Sequence, residues 1–350
     1  MAEPMARLLR LEGASMPDWS DRHLAPPGTP DFFAGRVWYD TLLAHALPIG
    51  AQPWLALCGA DEGVLVPLLR QDGRWGSLAG PYSLEWRPLP APGADLREAG
   101  RGLARLLAGR PPTRLDALDG DAPGLDDILA GLRAGGLAIS RYRHFGNWHA
   151  PLPVGASWQS YLAARPPALR ATIQRRTAAS LRQGHVTLYT EPGAALESGI
   201  LAYVEVRGRS WKPLEPFPEF DAALLRATAA IGALRLGVLW RGERPVAAQY
   251  WVLSGGRAAL LKLAHAQDEK STSPGTVLTA FMIRHLMDVD GAHTLDFGRG
   301  DDDYKALWCN ERRQRIGCVL SDPWHPAGLL ELARQAARRA RNLLPGRVAA

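Results

Sequence analysis

Lysine is nearly missing from this chain. Of its 41 basic residues only Lys212, Lys262, Lys270 and Lys305 are lysines, and all four fall in one stretch of the C-terminal half. A rotatable ammonium and a planar guanidinium are not interchangeable, so these positions are candidates for chemistry; biased codon usage is the plain alternative. Cysteine is scarce as well. Cys58, Cys309 and Cys318 make no paired metal-ligand spacing and read as reduced thiols, which excludes a disulfide scaffold. No apolar run reaches membrane-spanning length, and Glu3, Arg7, Arg10, Glu12 and Asp18 interrupt the first 20 residues, which therefore do not read as a signal peptide. A cytoplasmic protein is expected. Much of the net charge of +6 sits near one end, where Arg334, Arg338, Arg339, Arg341 and Arg347 face only Glu331. The remaining body is close to neutral, which excludes the broad basic face of a sequence-independent DNA binder.

What is present is the composition of a soluble globular protein, 47% hydrophobic and 22% charged over 350 residues, enough for two domains. Periodicity and turn residues give the second half an order of elements. A strand at 185–189 is followed by helices at 194–211 and 221–231. Three meander strands follow at 234–240, 245–253 and 257–264, then a helix at 274–289, a strand at 294–297, a short helix at 302–308 and a last strand at 315–320. The first half repeats most of that order: a helix at 31–47, short strands at 54–58, 63–69 and 75–79, a helix at 95–108, a strand at 114–118, a helix at 125–134 and a strand at 137–145. A duplicated α/β (α+β) fold is expected, with domains at 1–153 and 154–322 and a basic amphipathic helix in 323–350. The segment 151–155 reads as the linker.

The sharpest local signal is Lys270-Ser271-Thr272-Ser273-Pro274-Gly275-Thr276. Ser273 reads as an N-cap and Pro274 as a first helical residue, after which Gly275 and Thr276 present bare amides at the positive end of the helix dipole. Such a start can cradle phosphate, with Lys270 adding charge; taken alone it is merely a well-capped helix. Four further blocks accompany it in order: Ser210-Trp211-Lys212, Arg244 to Gln249, Lys262-Leu263-Ala264, and Leu295 to Asp301 running into Tyr304-Lys305. Together they resemble the GNAT acyltransferases, and within them the Fem-related, CelD-like branch found around cell-envelope and exopolysaccharide functions. The usual Gln/Arg-x-x-Gly-x-Gly/Ala loop of that family is replaced here by Lys270 to Thr276.

The resemblance implies tandem GNAT-like domains, each a mixed, mostly antiparallel sheet flanked by helices. It implies acyl-CoA, above all acetyl-CoA, as donor at Lys270, Ser273, Pro274, Gly275 and Thr276, with no metal. An amine acceptor is expected near the interface of the two copies: a small molecule or a glycan precursor. Asp296 is the expected base or acceptor-orienting group, with a structural aspartate bonding its own turn as the alternative. Tyr304 stands where related enzymes keep a phenol that protonates the leaving thiolate, with core packing as the competing role. Lys305 is expected to pair an acceptor phosphate or carboxylate. Trp211, Lys212, Gln249, Lys262 and Arg299 complete the expected substrate-binding set. Trp211 reads by default as a core aromatic, Lys262 could pair with Asp296, and Asp301-Asp302-Asp303 reads as an N-cap.

Two basic segments bear on partners. The arginines of 165–182 could contact tRNA if the chain were an aminoacyl-tRNA-dependent Fem-type transferase; a solvated helix face is the favoured reading. The C-terminal helix could rest on an anionic membrane surface, with docking on the body favoured. A non-catalytic scaffold that kept the fold is the remaining alternative. The first half has no matching cradle, since its helix begins at Asp95, and is expected to bind acceptor or serve structure.

Overall fold

The computed structural model describes residues 6–343. The chain forms two compact units from interleaved segments: residues up to 24, 47–145 and 314 onward make the first, and residues 25–46 with 146–313 make the second. These differ from contiguous pieces divided at 153/154 and 322/323. A local reading of periodicity does not show which distant segment an apolar face will meet.

In the first unit, β1 (Ala6–Arg10), β2 (Gln52–Cys58), β3 (Val64–Gln71) and β4 (Arg74–Ser77) form an antiparallel meander. A short β5 (Leu89–Pro90) pairs with β3, and β6 (Thr113–Asp119) lies parallel to β4 and antiparallel to β13 (Glu311–Ser321). Helices α2 (Leu96–Leu107) and α3 (Leu125–Ala134) bury Leu103, Leu107, Ile128 and Leu132 in this unit's core. The Asp95 carboxylate accepts from the Glu98 N–H at 2.9 Å and closes the start of α2. The fourteen-residue strand β7 (Ala138–Pro151) runs through the beginning of the expected linker. The C-terminal helix α10 (Pro326–Leu343) is tied to Ser140 of β7 by Gln335.

The second unit has the strand order β7-β12-β11-β10-β9-β8. β8 (Gly184–Tyr189), β9 (Leu234–Arg241), β10 (Arg244–Ser254) and β11 (Arg257–His265) are antiparallel neighbours. The β10–β11 hairpin turns on Gly255 and Gly256, both at positive φ as a tight two-residue loop requires. β12 (Thr294–Arg299) is parallel to β11 for only three residue pairs, 257–259 against 294–296, and antiparallel to β7. Beyond those pairs β11 and β12 separate. Helix α8 (Pro274–Asp288) connects them and buries Val277, Leu278, Met282, Ile283 and Leu286, each buried side chain contributing about 1.5–3 kcal/mol. Phe281 and Val289 are exposed. Gly237 lets α8 approach β9, since a Cβ there would lie 2.4 Å from the Met282 sulfur.

The other helices of this unit are α4 (Trp158–Ala163), α5 (Pro167–Gln183), α6 (Ala194–Gly208), α7 (Pro218–Ala230) and the short α9 (Asp303–Trp308). The early helix α1 (Arg36–His45) joins them: Trp38 meets Phe220 of α7 edge-on, ring centroids 5.8 Å apart. Its apolar face is legible in the sequence; its partner is not. The expected α/β class, with mixed, mostly antiparallel sheets flanked by helices, is the fold the chain adopts.

Candidate active site

Where β11 and β12 diverge, a cavity of about 450 Å³ opens at the start of α8. Its lining includes seven of the sequence-predicted residues, Trp211, Lys212, Lys270, Ser273, Gly275, Thr276 and Tyr304, along with Leu169, Leu263, His265, Thr279, Asp302, Leu307 and Trp308. Trp308 is buried, stacked on Phe297, which meets Trp251 edge-on.

The helix start departs from the expected geometry in a way that opens it. Ser273 sits at φ 57°, ψ 46°, the left-handed region, and its hydroxyl makes no capping bond. Pro274 has no N–H. The first turn's remaining amides, those of Gly275 and Thr276, have no partner among the described residues. A left-handed non-glycine residue is strained, and such strain gathers at ligand sites. Pro274 is buried, so it fixes the start without lining the cavity.

His265 lines the cavity without belonging to any of the motif blocks. It ends β11 two residues after Leu263, and strand alternation turns both to one face. Its Nδ1 lies 3.2 Å from the Ala266 carbonyl oxygen, which only accepts, so Nδ1 carries the proton and Nε2 the lone pair. Burial lowers its pKa more than the Ala266 bond raises it, keeping the ring neutral at pH 7. Trp211, exposed rather than core, packs on the ring at 4.4 Å. A Cβ on Gly275 would stand 3.3 Å from His265 Cδ2, so glycine permits this approach.

The remaining expectations divide. Asp296 does not line the cavity. It is fully buried, its Oδ1 accepting from Asn147 Nδ2 (2.7 Å) and the Gly298 N–H (2.9 Å), its Oδ2 from Arg257 (2.7 Å) and Arg313 (2.8 Å). Burial alone would raise its pKa, but the two guanidiniums and the Asn147 bond hold the carboxyl well below the usual range. That makes a poor base, so the structural alternative describes it. Lys305 is buried too: its ammonium donates to the Arg299 (2.6 Å) and Gly300 (3.3 Å) carbonyls and meets Asp302 at 3.0 Å, leaving no donor for an acceptor anion. Arg299 is exposed and contributes its carbonyl to that latch rather than a side chain to the cavity. Asp302 occupies the N-cap position but makes no capping bond.

Lys262 finds Glu215 at 2.8 Å, not Asp296. Gln249 is buried behind the cavity wall, its Oε1 accepting from Thr279 at 3.3 Å while its Nε2 has no partner. Tyr304 does reach the cavity, and its hydroxyl has no hydrogen-bond partner among the described residues. Burial, then Asp302 and Cys309, push its pKa up, so it keeps its proton.

A helix start with unpaired amides at the edge of a cavity has the geometry of an anion site. Residues 167–306 match the family model of the acetyltransferase (GNAT) domain. The matched stretch holds every cavity residue except Leu307 and Trp308. No curated protein matches the chain. Among solved structures, FemX aligns with a TM-score of 0.58 at 13% identity, over 93% of this chain and 99% of that one. The C-terminal domain of an Agrobacterium fabrum protein described as a lysylphosphatidylglycerol synthetase aligns at 0.52 and 11%, covering 85% and 90%. A conserved protein of unknown function from Bacteroides thetaiotaomicron aligns at 0.51 and 12%, covering 77% and 85%. At these identities the likeness is one of fold. Among the described residues no cluster of His, Cys, Asp or Glu could hold a metal, and no helix is long and apolar enough to cross a membrane.

Proposed function

We propose that the GNAT domain transfers an acyl group, foremost acetyl, from acyl-CoA to an amine of a cell-envelope or exopolysaccharide precursor, as a member of the Fem-related, CelD-like branch. The observation that carries this reading is the open start of α8 beside the splayed strands. Its unpaired Gly275 and Thr276 amides fit a pyrophosphate, whereas α2 in the first unit is closed by its own Asp95. The first unit accordingly serves acceptor binding or structure.

Acyl-CoA supplies a thioester carbonyl activated towards attack. Gly275, Thr276 and Lys270 hold its phosphates. As the acceptor nitrogen bonds to the acyl carbon and the carbon–sulfur bond breaks, His265 Nε2 takes the ammonium's proton, and the Tyr304 hydroxyl donates to the departing sulfur. Holding both reactants in one cavity supplies much of the rate.

Acetyl-CoA titration followed by thermal denaturation tests this. A ligand at 100 times its Kd stabilises by about 2.7 kcal/mol, and an unchanged melting curve refutes the reading. A second reading, an aminoacyl-tRNA donor, draws on the exposed Arg170, Arg175 and Arg182 of α5. It expects tRNA association that weakens steeply with salt and with Arg175→Ala; association indifferent to both refutes it.

A further inference from the structure

Among the described residues, no carboxylate lies within ion-pair distance of Lys212 in the cavity wall. Lys212 follows α6 in a turn where its backbone N–H meets Ser210 Oγ at 3.4 Å, and its ammonium stands 5.8 Å from the Trp211 ring centroid. Among the described residues no carboxylate or carbonyl takes a hydrogen bond from it. Its charged surroundings are mostly of its own sign. Arg207 of α6 and Lys262 of β11 share the Glu215 carboxylate, at 2.7 and 2.8 Å, and Lys305 of α9 is latched to Asp302 and two carbonyls. Asp302, more than half exposed, is the acid on its side of the cavity, and Lys270 and neutral His265 complete the ionisable lining. An ammonium removed from water among like charges is unfavourable unless an anion joins it.

Resting on the acyl-transfer reading, we propose that the acceptor is an amine that also carries an anionic group, a phosphate or a carboxylate, and that Lys212 binds that group. The arrangement divides the cavity by charge. The α8 amides with Lys270 serve the donor's phosphates. Lys212 holds the acceptor's anion beside Trp211, whose ring also packs on His265, and so directs the acceptor's amino end towards Nε2. Such an anion gains from a charged, partly dehydrated donor, where one hydrogen bond contributes more than it would to a solvated lysine. Specificity follows from the same source: a neutral amine of similar size leaves Lys212 uncompensated, and a site with an unpaired polar group discriminates strongly.

Burial, then Arg207 and Lys262, lower the Lys212 pKa to about 8, while Asp302 opposes the shift. The site is thus charged at pH 7 and loses its proton just above.

The experiment uses the full chain saturated with acetyl-CoA, so that the α8 cradle is filled. Sodium phosphate or sodium acetate is added at ionic strength matched with sodium chloride, and thermal denaturation is followed. Phosphate, acetate or both should stabilise the loaded protein further, the two arms separating the anion types, and the effect should fade above about pH 8. Lys212→Ala should weaken that second binding on the order of tenfold or more. It should keep the acetyl-CoA shift and melt no lower than the unsubstituted protein without ligand, and Lys212→Arg should restore part of the loss. The proposal is overturned if neither anion acts beyond chloride, or if Lys212→Ala retains the effect. A Lys212→Ala protein that loses the acetyl-CoA shift also overturns it, by placing Lys212 on the donor. If the unsubstituted protein shows no acetyl-CoA shift, the acyl-transfer reading itself has failed.

Discussion

Asp296→Asn is the most telling single change, because it separates a structural carboxylate from a catalytic base. The amide can still accept from Asn147 and Gly298 through its oxygen, but it places a neutral NH₂ where Arg257 and Arg313 now meet Oδ2 at 2.7 and 2.8 Å. The carboxylate is fully buried and its arginines mostly so. Breaking a buried ion pair from one side costs about 3–5 kcal/mol, since the partner charge is left uncompensated. For a domain of this size that corresponds to a fall in Tm of roughly 6–20 °C, read by circular dichroism on heating. The pH dependence has a definite sign. Because the folded carboxyl titrates below its unfolded value of about 3.9, its stabilisation is fully present above about pH 4. It is lost as pH falls through the folded value. The gap between wild type and variant should therefore be flat from pH 5 to 8 and shrink only in acid. A variant that melts within about 2 °C of wild type yet loses acyl transfer would refute this reasoning and return Asp296 to the role of base.

Gly275→Val should abolish the acetyl-CoA thermal shift, because its side chain would enter the 3.3 Å gap to His265 and cover the open amides; a retained shift would show that the phosphates bind elsewhere. His265→Gln should lower kcat by about 10²–10⁴-fold in release of free CoA thiol with an amine that supports turnover. In the unsubstituted protein the rate should rise with pH through a value below 6.5 and level off by pH 7, as a neutral base requires; an unaltered kcat in the variant dismisses His265. Burial pushes Cys58 up to about 12, Cys318 to about 11 and Cys309 higher still, so Ellman's reagent should find no reactive thiol in the native protein. Rapid labelling of any of the three would contradict the buried packing.

Local chemistry was legible wherever the decisive contacts were local. The three strands of the second meander and helix α8 begin and end within about two residues of where periodicity and Gly-Gly or Ser-Pro-Gly punctuation place them. Eight cavity residues, Leu263 among them, were also visible as motif members. What escaped depends on distant partners. Lys262 and Lys305 look alike in sequence as rare cations beside motif blocks, yet each is consumed by a fold contact, with Glu215 and with the 299–300 carbonyls. Asp296 at a strand end before glycine fits a base or a turn aspartate equally; Arg257 and Arg313, brought in by other strands, decide the matter. His265 had no ligand spacing to betray it, only its place on the same strand face as Leu263.

The membership of α1 in the second unit has a consequence for synthesis. Trp38 and Tyr39 are buried in the folded chain, and Trp38 rests on Phe220. On a ribosome adding roughly 5–20 residues per second, the growing chain must wait on the order of ten to thirty seconds between making α1 and making α7. During that interval Trp38 has only Phe32 and Phe33 of the preceding turn against it. The nascent chain therefore exposes a sticky helix well before its dock exists, and a chaperone that shields short aromatic segments would raise yield more than one acting after release.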